Sequence, residues 1–344
     1  MEPPSLPPPL PEPARELTIA GFTIGHGSDT AGKTGVSVVL CPAGAVAAAE
    51  VRGSATGTRQ FDSLVANHHL ATRAHAVVLA GGSGFGLAAA DAVVEALAAA
   101  GHGFDAGVAR VPLVPTAILF DLGFGDPQAR PGRRLAEEAL RTAAAGTVAV
   151  GSVGAGTGAT VGKARGRECG MKGGIGFASL TPVGAVGAAG AAGGPTVAAL
   201  VAVNAFGDVR DPESGAIVAG CRAAAASHRL VGAERVLAAP PPAGMPNPWE
   251  GNTTLAVVLT DAAISKRAAL KVCQMAFGGF YRALAPALTL YDGDLVVTLA
   301  SGAREAHVHQ VGVLAQRAVE AAILVAVREA DGFGLLPAVR DLRG

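Results

Sequence analysis

The chain has 344 residues with 27 basic and 27 acidic side chains, so its formal net charge is zero and only 16% of it is charged. That balance excludes a protein held to nucleic acid by a surplus of Lys and Arg, and an apolar fraction of 50% excludes global disorder. Most of the apolar content is Ala and Val, beside 48 Gly and few aromatics, so tight packing has to come from close backbone approach.

In chain order, residues 1–15 open with a proline-rich run that lacks the apolar core of a signal peptide, and they are read as a disordered arm. Short β-branched runs at 35–41 (GVSVVLC) and 74–80 (AHAVVLA) read as buried strands. An Ala-rich helix follows over 87–100, carrying Asp91 and Glu95 on one face and stopped by Gly101. A strand is expected at 116–120 and a helix from Pro131 to Ala145. Strands are expected again at 174–180 and 196–204. The stretch 173–207 is long and uncharged, but its glycines and prolines exclude a membrane helix.

Residues 239–252 (APPPAGMPNPWEGN) hold five prolines and have to be an exposed connection. A β-branched strand at 253–260, a helix at 264–284, a strand at 295–299 and an amphipathic helix at 307–328 complete a layered α/β chain without repeats. Cys41, Cys169, Cys221 and Cys273 are scattered and form no CxxC pair, which argues for a reducing, cytoplasmic setting.

Several motifs admit a functional and a plain reading. GAGTGATVGK (154–163) has Thr157 and Ala164 where a Walker loop needs Gly and Ser or Thr. It satisfies a dinucleotide fingerprint through Gly154, Gly156 and Ala159, yet no helix-like stretch or later acid follows. A tight packing loop is the plain alternative to a nucleotide-binding module. GGSGFG (81–86) resembles a serine nucleophile elbow with Phe85 in place of the last glycine. The order Ser83, Asp292, His307 would suit a hydrolase, whereas Ser83 as a helix cap is the plain reading. Among the eight histidines, His68–His69 and His307-x-His309 have no third ligand at metal-binding spacing, so no metal is expected.

Gly251-Asn252-Thr253-Thr254 is the most informative segment: its plain readings are a loop entering a strand, which the four letters alone favour, or a glycosylation sequon at Asn252 that would need a secretory route, and its functional reading needs a chain break before Thr253. A hydroxyl is a weak nucleophile without a base beside it, and a Thr freed at its N-terminus brings its own α-amine, which titrates at about 7.7–8.

The stretches GGSGFGLAAADAVV (81–94), GAGTGATVGK (154–163), KGGIGFAS (172–179), VAVNAFGDVRD (201–211), GNTTLAVVLTDA (251–262) and YDGDLVVTLASG (291–302) run in one order through most of the chain. In them the chain resembles the self-processing aminopeptidases, which include β-aminopeptidases, L-aminopeptidase/D-Ala-esterase/amidases and nylon-oligomer hydrolases. The resemblance implies a four-layer αββα sandwich spanning 16–344. It implies a cut between Asn252 and Thr253 into chains 16–252 and 253–344 that stay associated. Thr253 would be the nucleophile, with Lys172 preferred over Lys163 as the lysine near it. Asn204 would bind the oxyanion, Asp292 and Asp294 would orient the amine and hydroxyl network, and Gly82 and Ser83 would border the substrate. Some members carry Tyr where this chain has Phe120. A small peptide or amide substrate, no cofactor and a homo-oligomer, by resemblance a tetramer, complete the expectation.

Overall fold

A computed structural model describes residues 10–182, 194–239 and 251–343. The proline-rich connection at 240–250 and the first nine residues of the arm lie outside them. Nine strands form the main sheet: β1 (Thr23–Asp29), β2 (Thr34–Val51), β3 (Gly57–Arg59), β4 (Arg73–Ala80), β5 (Thr116–Ile118), β6 (Gly174–Leu180), β7 (Val197–Asn204), β8 (Thr253–Ala262) and β9 (Leu295–Arg304). Four helices cover it, α1 (Ala89–Ala99), α2 (Arg133–Thr142), α3 (Lys266–Ala283) and α4 (Val308–Arg328). Strand order is β6-β7-β8-β9-β2-β4-β5-β3, with β1 added to β2.

The alternation of side chains along these strands sorts them into three cores, and three cores make four layers. Ala199, Val201 and Val203 of β7 and Ala256 and Val258 of β8 face α3 and α4. Their neighbours Ala198, Leu200, Ala202, Leu255, Val257 and Leu259 face inward, against Val39, Val77 and Leu79 of the other half of the sheet. Val36, Val38, Ala76 and Val78 point outward again, to α1 and α2. The αββα expectation therefore holds.

One strand joins the two halves. Thr34–Leu40 of β2 pairs with β1, and Val46–Val51 pairs with β9. Between them the pairing with β4 shifts register at Leu40 to Ala45, where Gly44 adopts φ 80°. A bend of this kind lets one chain serve two sheet layers.

Glycines bring the helices onto the sheet backbone. A Cβ on Gly176 of β6 would stand 1.9 Å from the Ala322 carbonyl oxygen of α4, and one on Gly25 of β1 1.9 Å from that of Ala139 in α2. This is the close backbone approach that the Ala- and Gly-rich composition implies. Helix α4 is long and apolar enough to cross a membrane, but its apolar side is buried against α3 and the sheet. All four cysteines are free and buried.

The expected disordered arm is tied down at its end. Ala14 exchanges two backbone hydrogen bonds of 2.8 Å with Ser179, and Arg15 pairs with Glu329. The expected helix at 87–100 is preceded by a 3-10 turn at Ser83–Ala88, and the expected break after Cys41 is the bend within β2.

Candidate active site

Strand β8 is central because its β-branched, apolar residues fit a ladder covered on both faces, and Thr253 is its first residue. It stands opposite Asn204, the last residue of β7, and is 3% exposed. The preceding residue, Asn252, bridges Asp292 in the turn before β9 and is 2% exposed. Asn252 donates its N–H to the Tyr291 carbonyl at 3.0 Å, and its own carbonyl oxygen accepts from the Gly293 N–H at 2.8 Å. The Thr253 hydroxyl donates to that same oxygen. The carbonyl before Thr253 is thus held by two donors, one of them the hydroxyl that could attack it. Gly293 is needed here, since a Cβ on it would lie 2.8 Å from Thr253 Oγ1 and 2.6 Å from the Ala55 oxygen.

The flanking aspartates fix the backbone of this corner. Asp294 accepts the Thr254 N–H at 2.6 Å. Asp292 accepts from the Phe206 N–H at 3.0 Å, the Thr289 N–H at 2.9 Å and the Thr289 hydroxyl. Burial raises both carboxyls above the usual range, Asp294 strongly because the Asp292 charge adds to it, while the Lys163 ammonium pulls Asp292 back down.

Asn204 joins this corner to the glycine loop. Its Oδ1 accepts from the Thr160 N–H at 3.0 Å and from Lys163 Nζ at 3.1 Å, and its backbone oxygen takes Lys163 Nζ at 3.0 Å. Its Nδ2 donates to the Phe120 carbonyl at 3.0 Å. Phe120 thus contributes a backbone oxygen and no phenol, and its side chain lies against Gly251. Lys172, fully buried, donates to the carbonyls of Gly156, Ala159 and Gly173 at 2.9, 2.8 and 3.2 Å. Burial depresses it to about 7 although the Asp121 carboxylate favours its charge. Of the two lysines, Lys163 is the one in contact with Asn204, and Lys172 holds the glycine loop.

Gly82 and Ser83 border the same region through Asp121. Its oxygens accept the Gly82 N–H at 2.7 Å and the Thr34 hydroxyl at 2.8 Å, and burial pushes it up to about 6. A Cβ on Gly81 or Gly158 would run into this carboxylate. Gly82 and Ser83 take left-handed φ values of 75° and 52°.

The serine triad does not assemble: Asp292 is committed to Phe206 and Thr289, while exposed His307 caps α4 by accepting from the His309 N–H. The dinucleotide reading fails as well. The loop's Gly154 and Ala155 amides bond Ser28 and Ser37, a Cβ on Gly156 would strike the Gly174–Ile175 backbone, and a short strand, Thr160–Val161, follows instead of a helix. Among the described residues no cluster of His, Cys, Asp or Glu could hold a metal.

Three contributors were missed in the sequence. Gly293 was legible as the residue between two aspartates in YDGD, and Asp121 as the lone acid ending an apolar strand. Thr160 carried no signal, because its contact with Asn204 spans 44 residues.

A buried threonine at the head of a central strand of an αββα sandwich, with amide and ammonium groups around it, fits a hydrolase of peptide or amide bonds. The profile described as peptidase family S58 matches residues 17–334, and the chain belongs to that family. An uncharacterized aminopeptidase of Mycobacterium leprae is 37% identical, the match covering 94% of this chain and 93% of the relative. A 6-aminohexanoate-oligomer endohydrolase of Paenarthrobacter ureafaciens is 28% identical over 80% of this chain and 71% of its own. The solved L-aminopeptidase D-Ala-esterase/amidase of Ochrobactrum anthropi, described as a variant of the Ntn hydrolase fold, superposes with a TM-score of 0.71 at 18% identity. That superposition covers 97% of this chain and 93% of the other.

Proposed function

We propose that Thr253 cuts the bond before it and then serves as the nucleophile of an aminopeptidase or amidase acting on small peptides or amides. The observation that carries this is the Asn252 carbonyl oxygen, held by the Gly293 N–H at 2.8 Å and by the Thr253 hydroxyl. Thr253 Oγ1 adds to the Asn252 carbonyl carbon, and the oxyanion forms against Gly293 N–H. The Thr253 nitrogen takes a proton and leaves, so an ester joins Asn252 to Oγ1. Water cleaves the ester, restoring the hydroxyl and freeing the Asn252 carboxylate and the Thr253 α-amine.

In turnover that amine accepts the hydroxyl proton as Oγ1 attacks the substrate's amide carbonyl. The leaving amine departs protonated, and water releases the acyl group from Thr253. We assign the assisting lysine to Lys163, because its ammonium meets both oxygens of Asn204 and lowers the Asp292 carboxyl. Asp294 and Asp292 hold the strand ends that carry the nucleophile. The cleaved units would assemble as a homo-oligomer.

Intact mass decides the first step. Wild-type protein should resolve into residues 1–252 and 253–344, and Thr253→Ala should stay full length. A wild type that remains one chain on long incubation, and hydrolyses amides as well as Thr253→Ala does, would overturn the reading.

A further inference from the structure

If Thr253 acts as proposed above, the chain is its own first substrate, and Gly251 and Asn252 show how an acyl group lies against the nucleophile. The turn before β9 grips Asn252 at both ends of its backbone: the Asn252 N–H donates to the Tyr291 carbonyl at 3.0 Å, and the Asn252 carbonyl oxygen accepts from the Gly293 N–H at 2.8 Å. An acyl residue that takes this place after the cut, once residues 251–252 have vacated it, brings its own nitrogen and carbonyl to the same two groups, as a peptide does along a strand edge. Fixing both ends also fixes where any preceding residue must lie.

That preceding place, held by Gly251, is closed to side chains. A Cβ on Gly251 would stand 2.9 Å from Phe120 Cβ, with Cγ at 3.4 Å and Cδ2 at 3.6 Å, well inside the best separation of two carbon atoms for the first of them. Gly251 does not adopt the left-handed φ that favours glycine, so what is missing there is room for a side chain. Turning the Phe120 ring does not move its Cβ, and the backbone behind it is tied down. The Leu119 N–H donates to the Ala80 carbonyl at 2.9 Å, the Leu119 carbonyl accepts from the Ser83 N–H at 3.0 Å, and the Phe120 carbonyl accepts from Asn204 Nδ2 at 3.0 Å. The cavity bordered by Gly251, Phe120 and Lys163 measures about 10 Å³, which suits one water and no side chain.

We infer that Phe120 sets the length of the acyl group: the residue transferred to Thr253 is the N-terminal one, or has only glycine in front of it. The enzyme then releases single N-terminal residues and X-terminated glycyl dipeptides, and rejects acyl groups in which a residue with a side chain comes first. Phe120 is a specificity residue, touching the residue in front of the acyl residue and leaving the attack to the Thr253 corner.

The test compares Gly-Asn- and Ala-Asn-p-nitroanilide, asparagine being chosen because Asn252 already occupies the acyl place. The initial rate at which intact dipeptide appears, read by mass spectrometry, separates this release from stepwise trimming. Wild-type kcat/KM should be about ten- to a hundredfold higher for release of Gly-Asn than of Ala-Asn. Phe120→Gly removes the Cβ and should bring the ratio to about two or less, while Phe120→Ala, which keeps the Cβ, narrows it less. Taking the ratio within each variant cancels any change in its overall rate. In the precursor, Gly251→Ala should slow self-cleavage by about tenfold or more, and adding Phe120→Gly should recover most of that loss. A wild-type ratio near one, a ratio unchanged by Phe120→Gly, or a Gly251→Ala precursor that matures at the wild-type rate overturns the inference. If Phe120→Gly does not fold, the wild-type ratio and the Gly251→Ala precursor decide. Absence of any Thr253-dependent cleavage sinks the parent reading and this inference with it, whereas a flat ratio in an enzyme that needs Thr253 sinks this inference alone.

Discussion

Gly293 donates its backbone N–H to the carbonyl oxygen of Asn252 at 2.8 Å, and the Thr253 hydroxyl donates to the same oxygen. The amide comes from the turn between two buried aspartates, so its direction is set by Asp292 and Asp294 bonding the backbone around it. Because the donor is a main-chain group, its placement depends on residue 293 having no side chain. Gly293→Ala should therefore slow self-cleavage by about tenfold or more, short of the 10²–10³ seen when an oxyanion donor is removed outright. Gly84→Ala, at a site with nothing within 4 Å, is the control. The precursor fraction followed over time on a gel checks both.

The two lysines should separate by readout. Lys163→Ala removes the ammonium from Asn204 and from the field at Asp292, and turnover should fall by about two orders of magnitude with the fold intact. Lys172→Met strips the donor from three buried carbonyls and should cost about 1–3 kcal/mol net of stability. Denaturant melts beside amidase assays distinguish the two, and a stable Lys172→Met protein without activity would return the catalytic role to Lys172.

Lys172 also predicts an alkaline slope. Burial lowers its folded pKa to about 7, against about 10.4 for an unfolded lysine. Between these values the unfolded chain binds the extra proton, so this group's contribution to stability grows as pH rises from about 7 to 10. Below pH 7 both states are protonated and the contribution is lost. The change in Tm between pH 7 and pH 9.5 should be more positive in wild type than in Lys172→Met. Equal changes would contradict the buried, depressed lysine.

The glycine contacts under the outer helices predict a stability effect far from the site. Gly176→Ala and Gly25→Ala each force a methyl against a helix carbonyl, at 1.9 Å before relaxation. Each should destabilise by about 1–3 kcal/mol or more as the helix is pushed outward. Urea melts check this, and an unchanged midpoint would mean that the helices sit further from the sheet than described.

Much of this architecture was legible in the sequence because its signals are local. The run TTLAVVLT marks the start of β8 to the residue, and Gly101 ends the Ala-rich helix at φ 77° as a left-handed cap does. The strand TIGHGSD (23–29) went unread because its glycines, which admit α2, erase the apolar alternation that advertises a strand. Pro42 and Gly44 looked like the end of a strand and are instead the bend by which β2 changes layers. In the candidate site, Thr253, Asn204 and the two aspartates were named by resemblance, and the fold brings them to one corner. The pairing of Lys163 with Asn204 was not, since it spans 41 residues and depends on where the glycine loop folds back.

Strand β8 is bonded on both edges, antiparallel to β7 and parallel to β9. Opening the 252–253 bond would place a new chain terminus in the middle of a sheet without removing any rung of either ladder. The piece from Thr253 onward supplies β8, β9, α3 and α4, and its core closes against residues of the other piece, Ala199, Val201 and Val203 among them. A precursor could therefore refold from a single molecule, whereas a protein cut as proposed would, once denatured, have to find its other half again. Its recovery would depend on protein concentration, and the proposed maturation would then be a ratchet in folding as well as in chemistry.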